Sequence, residues 1–110
     1  MSQGHLRISV YVNEADEWQG RPLHLEVLRM LHRHGLAGGT VLRAVAGFTG
    51  KGGVETTLLV DAGGKLPLVI EFIDTAEKVE SVMPELRKMI GKRLIARAQV
   101  EIEGDRAANN

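Results

Sequence analysis

Between Leu6 and Val12 apolar and polar residues alternate. Leu6, Ile8, Val10 and Val12 share one side; Arg7, Ser9 and Tyr11 share the other. A period of two predicts a half-buried strand. The stretch NEADEWQGR (13–21) reads as a loop, and Pro22 suits the first turn of a helix. Val27, Met30, Leu31 and His34 then recur at helical spacing from Leu23 onward, and Gly35 stops the helix. Thr40 to Phe48 is β-branched and alternating, a second strand. In the stretch that follows, TTLLVD (56–61) is a short strand or hairpin arm, and AGGK (62–65) turns the chain. Leu66 to Ile73 is a stronger strand with Pro67 near its start, where proline is tolerated.

Asp74 and Glu77 stand at capping-box spacing, with Asp74 as the cap of a second helix. Val79, Val82, Met83, Leu86, Met89 and Ile90 form its apolar stripe. Pro84 cannot donate to the carbonyl of Glu80, which predicts a kink or a break. Leu94 to Ile102 alternates again as a last strand.

The order strand, helix, strand, strand, helix, strand is the ferredoxin-like pattern. The expected fold is α+β: one antiparallel sheet, two helices on one face, and a long loop between strands two and three. The expected domain is 1–103, with 104–110 a disordered tail. The face without helices should carry Arg7, Ser9, Tyr11, Glu71, Arg97, Gln99 and Glu101. Val69, Ile73 and Ile95 among them favour a face packed on other subunits over a solvated one.

Composition narrows the chemistry. A chain of 110 residues builds one small domain with a modest core, for which oligomerisation is a common remedy. Its 14 Lys and Arg balance 14 Asp and Glu, so no net field draws it to nucleic acid or anionic lipid. There is no cysteine, hence no disulfide or thiolate metal site. The N-terminal MSQGHLRI lacks the basic segment and apolar run of a signal peptide, and a cytoplasmic protein is expected.

AGFTGKGGVETT (46–57) is the first candidate site. It is not a Walker A motif, because the GxxxxGK[ST] spacing and the following helix are missing. It is either a mobile loop or one that orders on a phosphate or a partner protein. Lys92 and Arg93, after Gly91, are either cations at a helix C-terminus or part of an anion site completed by Lys51 of another subunit. Trp18 is a lid on the first helix or flanks a ligand. Glu14, Asp16 and Glu17 lack an EF-hand pattern. His32 and His34 are two apart, and His24 and His32 are two turns apart, so neither pair chelates one ion on a helix. His34 is better read as a core or cap histidine. No catalytic constellation stands out, and the uncovered face offers only Tyr11 for stacking bases. The expectation is a non-enzyme that binds no nucleic acid.

HGLAGGTVLRAVAGFTGKGGVET (34–56) resembles the middle of PII-like proteins. It is more closely similar to the PII-like family of unknown function numbered 190. WQGRPLHLEVL (18–28), LPLVIEFID (66–74) and VMPELRKMIG (82–91) agree. The resemblance implies a ferredoxin-like homotrimer that regulates a partner, with an adenine nucleotide bound between subunits. It makes Phe48 to about Lys65 a T-loop that engages a partner, by analogy a membrane transporter. The candidate ligand-binding positions are Thr40, Gly47, Phe48, Lys51, Gly52, Gly53, Lys92, Arg93 and Arg97. In one respect the chain departs from PII. The corresponding stretch GKRLIAR (91–97) has the basic residues Lys92, Arg93 and Arg97, but not the glycine-rich run. The alternative is a structural or metal-binding trimer similar to the CutA proteins, without a nucleotide role.

Overall fold

The computed structural model describes residues 4–57 and 65–104. Its main sheet is built from β1 (His5–Asn13), β4 (Thr40–Arg43), β7 (Pro67–Thr75) and β8 (Ile95–Val100). The order across the sheet is β4-β7-β1-β8, and every neighbouring pair is antiparallel. Helix α1 (Leu23–Arg33) links β1 to β4, and α2 (Ala76–Ile90) links β7 to β8. Each helix therefore joins two parallel strands that have a third strand between them, the split β-α-β arrangement of a ferredoxin-like fold.

The core lies on one side of the sheet. Ile8, Val10 and Val12 of β1 and Leu68, Ile70 and Phe72 of β7 meet Leu23, Val27, Met30 and Leu31 of α1. Val79, Val82, Leu86 and Ile90 of α2 complete it. These are the alternating and helical positions that the sequence pattern picks out. Burying such side chains contributes about 1.5–3 kcal/mol each, set against the entropy of ordering the chain.

Several local expectations change. The loop at 13–21 contains a small hairpin, β2 (Glu17–Trp18) and β3 (Arg21–Pro22), with Trp18 opposite Arg21. Gln19 and Gly20 between them both have positive φ, 53° and 78°, the signature of a two-residue primed turn. Pro22 is the N-cap of α1 rather than a first-turn residue. The N-cap of α2 is Thr75, not Asp74: its Oγ1 accepts the Lys78 N–H at 3.2 Å. The Asp74 carboxylate is taken by the Ala37 N–H at 2.8 Å and the Thr75 N–H at 2.7 Å. Helix α2 is not broken at Pro84, which lies exposed inside it. His34 is the C-cap of α1, and its Nε2 lies 2.9 Å from the Glu85 carboxylate.

The expected second strand, 40–48, divides. β4 ends at Arg43, although the Ala44 N–H still reaches the Pro67 carbonyl at 3.0 Å. Pro67 has no N–H to extend the ladder. The chain then enters a separate hairpin of β5 (Ala46–Gly47) and β6 (Glu55–Thr56). The predicted arm at 56–61 and turn at 62–65 lie mostly outside the described residues, as does nearly all of the predicted tail.

The uncovered face also needs correcting. Ile8 is opposite Arg97, Leu6 opposite Gln99 and Val10 opposite Ile95. Directly opposed residues point to the same side, so Ile95, Arg97 and Gln99 are on the helix side. Arg97 accordingly pairs with Glu80 of α2. Glu101 follows the end of β8 and is not part of the sheet. Arg7, Ser9, Tyr11, Val69, Glu71 and Ile73 do occupy the uncovered face, joined there by Ala96 and Ala98.

Candidate functional site

The uncovered face is organised in rungs. Leu42 is opposite Val69, and Val69 is opposite Tyr11. The Tyr11 N–H donates to the Leu94 carbonyl at 3.1 Å, which carries the β1–β8 register one step past Val10 and Ile95. Leu42, Val69, Tyr11 and Leu94 thus form an apolar row across the sheet, with Leu42 52% and Leu94 65% exposed. The next row is polar except at its β8 end: Thr40, Glu71, Ser9 and then Ala96.

A groove of about 870 Å³ begins at this polar row. Its walls are the α1–β4 turn from Gly35 to Thr40, the end of β7 from Glu71 to Thr75, His5, Lys78 and Ile102. Such a volume suits a small organic ligand. The turn approaches α1 closely: a Cβ on Gly39 would meet Leu28 Cδ2 at 3.1 Å. Lys78, in the first turn of α2, lies against Gly35, 3.6 Å from the place of a Cβ there. Asp74 is occupied by backbone N–H groups, whereas no hydrogen bond or ion pair holds Glu71 among the described residues. The groove therefore offers Lys78 and the Asp74 carboxylate beside the start of α2, and the Glu71 carboxylate with the Thr40 hydroxyl on the other side.

At the opposite end of the sheet the turn 13–16 gathers charges. Glu14 pairs with Arg43 at 3.1 Å and accepts the Leu66 N–H at 3.2 Å. The Leu66 N–H does most to hold the Glu14 carboxyl below its usual range; burial opposes this, and Arg43 and Lys65 reinforce it. Asp16 accepts from Arg93 Nε at 2.9 Å. Arg93 also donates to the Ile90 carbonyl at 2.9 Å, so its guanidinium is engaged at the end of α2. Of the three acids noted in this stretch, Glu14, Asp16 and Glu17, the first two are thus paired with arginines. Among the described residues no group of three ligating side chains is placed to hold a metal.

The predicted site residues are not all together. Thr40 lines the groove. Gly47 packs near Pro67 at the base of the 48–65 loop, where a Cβ would meet the proline ring at 3.4 Å. Phe48 is exposed just beyond it, and Lys51, Gly52 and Gly53 lie at the exposed tip, where the Gly52 N–H closes a turn on the Thr49 carbonyl. Lys92 and Arg93 are at the loop end of the sheet, away from the groove. Arg97 is tied to Glu80, a hydrogen bond that raises the affinity of its guanidinium for its proton. His5, Glu71 and Lys78 were not anticipated as site residues. The glycine-rich GLAGG (35–39) before Thr40 was the available signal.

The chain matches the model of the family DUF190, described as "Uncharacterized ACR, COG1993", over residues 5–102. It is 29% identical over 83 residues to the UPF0166 protein MJ1524 of Methanocaldococcus jannaschii, an alignment covering 76% of each chain. It is 30% identical over 80 residues to a UPF0166 protein of Aquifex aeolicus, covering 73% of this chain and 76% of that one. Among solved structures, the de novo designed protein Foldit4 is similar with a TM-score of 0.46 and 13% identity, over 93% of this chain and 100% of that one. Matched from the first strand to just beyond the last, the chain belongs to the DUF190 family.

Proposed function

We propose that this protein is a PII-like regulatory module of the cytoplasm rather than an enzyme. Three copies turn their uncovered sheet faces inward, and an adenine nucleotide binds between subunits. The nucleotide sets the conformation of the 48–65 loop, through which a partner is controlled, a membrane transporter by analogy with PII. The number three and the nucleotide follow from the resemblance to PII proteins.

One observation carries the reading. Thr40, Glu71 and Ile73 belong at once to the groove and to the uncovered face. A subunit packed on the exposed row of Leu42, Val69, Tyr11 and Leu94 would therefore wall the groove as well. Assembly and ligand binding become one event at one surface. Lys78 and the start of α2 favour an anionic group, and a neighbour's Lys92 is available to add charge.

Light scattering at micromolar concentration, with calorimetric titration of ATP, ADP and AMP, tests this. Three subunits and micromolar binding of at least one nucleotide are expected. A folded monomer, or no heat at millimolar nucleotide, would overturn it.

A further inference from the structure

The turn 13–16 reaches the start of α1, the end of β4, Leu66 just before β7 and Arg93 just before β8. Its own shape is fixed internally: the Asn13 N–H donates to Asp16 Oδ2 at 2.8 Å, and the Ala15 N–H donates to Asn13 Oδ1 at 2.8 Å. The Leu23 N–H at the start of α1 donates to the Asp16 carbonyl at 2.9 Å. Glu14 then reaches both strands at the loop base. Its carboxylate pairs with Arg43 on the outgoing strand and accepts the Leu66 N–H on the returning one, while its own N–H donates to the Leu66 carbonyl at 3.0 Å. Asp16 reaches the other way, to Arg93 in the corner between α2 and β8.

Asp16 Oδ2 is shared between the Asn13 N–H and Arg93 Nε. Withdrawing the guanidinium leaves that oxygen with one donor and removes the only charge-assisted anchor of this end of the turn among the described residues. Glu14 is two positions away in the same turn, so its reach to Arg43 and Leu66 depends on where the turn is held. The Leu66 N–H, which does most to hold the Glu14 carboxyl below its usual range, ties that carboxylate to the loop base.

We propose that the Asn13–Asp16 turn is a conformational relay, which couples the hold of Arg93 on Asp16 to the order of the loop base at Arg43–Ala44 and Lys65–Leu66. Arg93 is a positioning residue: among the described residues it hydrogen-bonds to neither loop strand, yet controls both through Asp16 and Glu14. Anything that draws Arg93 off Asp16, a competing anion above all, loosens the loop base. By the reciprocity of coupled equilibria, anything that pulls the loop base away from Glu14 loosens the α2–β8 corner. The relay does not rest on the nucleotide reading, because it operates in the free protein.

The test is amide hydrogen exchange of the unliganded protein, residue by residue, in Asp16→Asn, Arg93→Ala, the double variant and Glu14→Gln. Asp16→Asn keeps the side-chain shape and an acceptor for Asn13, so it serves if Arg93→Ala fails to fold. Each of these two single changes should speed exchange of the Leu66 amide at least about fivefold, with Ile70 and Phe72 unchanged. The double variant should do no more than the larger single one, because both act on the same link, Asp16→Asn by removing its charge and Arg93→Ala by removing its donor. Glu14→Gln should speed exchange at the Arg93 amide, which donates to the Ile90 carbonyl at 3.3 Å. Unchanged exchange at Leu66 in both single variants, or additive effects in the double, would overturn the relay.

Discussion

Arg93 Nε and the Asp16 carboxylate meet at 2.9 Å across 77 positions of sequence, joining the end of α2 to the turn that follows β1. Because the same guanidinium also donates to the Ile90 carbonyl at 2.9 Å, its removal takes one donor from a carboxylate and one from a helix-end carbonyl together. Both side chains are partly solvated, so the pair itself is worth only about 0–1 kcal/mol. The carbonyl contact adds about 1 kcal/mol. Arg93→Ala is expected to lower Tm by several degrees while leaving the fold intact. Differential scanning calorimetry at constant protein concentration checks this; an unchanged Tm would show that the ion pair is ornamental.

Glu14 gives the protein a pH dependence in the acid range. Its folded pKa lies below the ordinary 4.5, chiefly through the Leu66 N–H and then Arg43, so it binds protons less readily folded than unfolded. Its stabilising contribution is present above the unfolded value and is lost as pH falls through the folded one. The loop base should loosen on acidification below that ordinary value. Glu14→Gln should remove this share of the dependence. Thermal melts of both proteins between pH 7 and 3 should converge at the acid end; curves that stay parallel would refute the assignment.

The apolar row across the uncovered face makes a separate claim about assembly. Leu42 and Leu94 are well exposed in the single chain, so replacing either with glutamate adds little strain to the monomer. Buried between subunits, the same carboxylate would be unpaired and costly. Leu42→Glu and Leu94→Glu should each shift the light-scattering mass from three subunits toward one, with near-native circular dichroism. An unchanged mass would place the subunit interface elsewhere.

The element order was legible because each helix and strand carries its own period. Val27, Met30 and Leu31 on α1, and Ile8, Val10 and Val12 on β1, could hardly pack otherwise. The side of β8 was not legible. Ile95, Arg97 and Gln99 alternate with Ala96 and Ala98, and on an edge strand neither set is apolar enough to decide. Only the register with Ile8 and Val10 settles it, and Glu80 then stabilises Arg97 on the helix side. The groove was hidden for another reason. Its walls come from His5, the turn at 35–40, Glu71 and Lys78, which share no local motif and meet only through the topology. The anion site expected at Lys92 and Arg93 followed sequence adjacency, which does not reveal that Arg93 is already held by Asp16.

The groove itself predicts how a nucleotide would lie in it. Glu71, which no side chain or N–H neutralises among the described residues, would repel a phosphate placed beside it, whereas Lys78 would attract one, the Asp74 carboxylate nearby being already engaged by two backbone N–H groups. An anionic group therefore belongs toward Lys78, and a hydrogen-bond donor of the ligand, such as an exocyclic amine, toward Glu71 and Thr40. Lys78→Ala should weaken ATP binding about tenfold, a loss of about 1.4 kcal/mol. Glu71→Gln gives a test of sign. If a donor group of the ligand faces Glu71, loss of the charge-assisted bond should weaken ATP, ADP and AMP by a similar factor, because none of their phosphates is involved. If phosphate instead lies there, removing the carboxylate should tighten binding, and most for ATP, which carries the most charge. Calorimetric titration of wild type and both variants with the three nucleotides separates the two orientations. Equal affinities in all three proteins would remove the groove from the ligand site altogether.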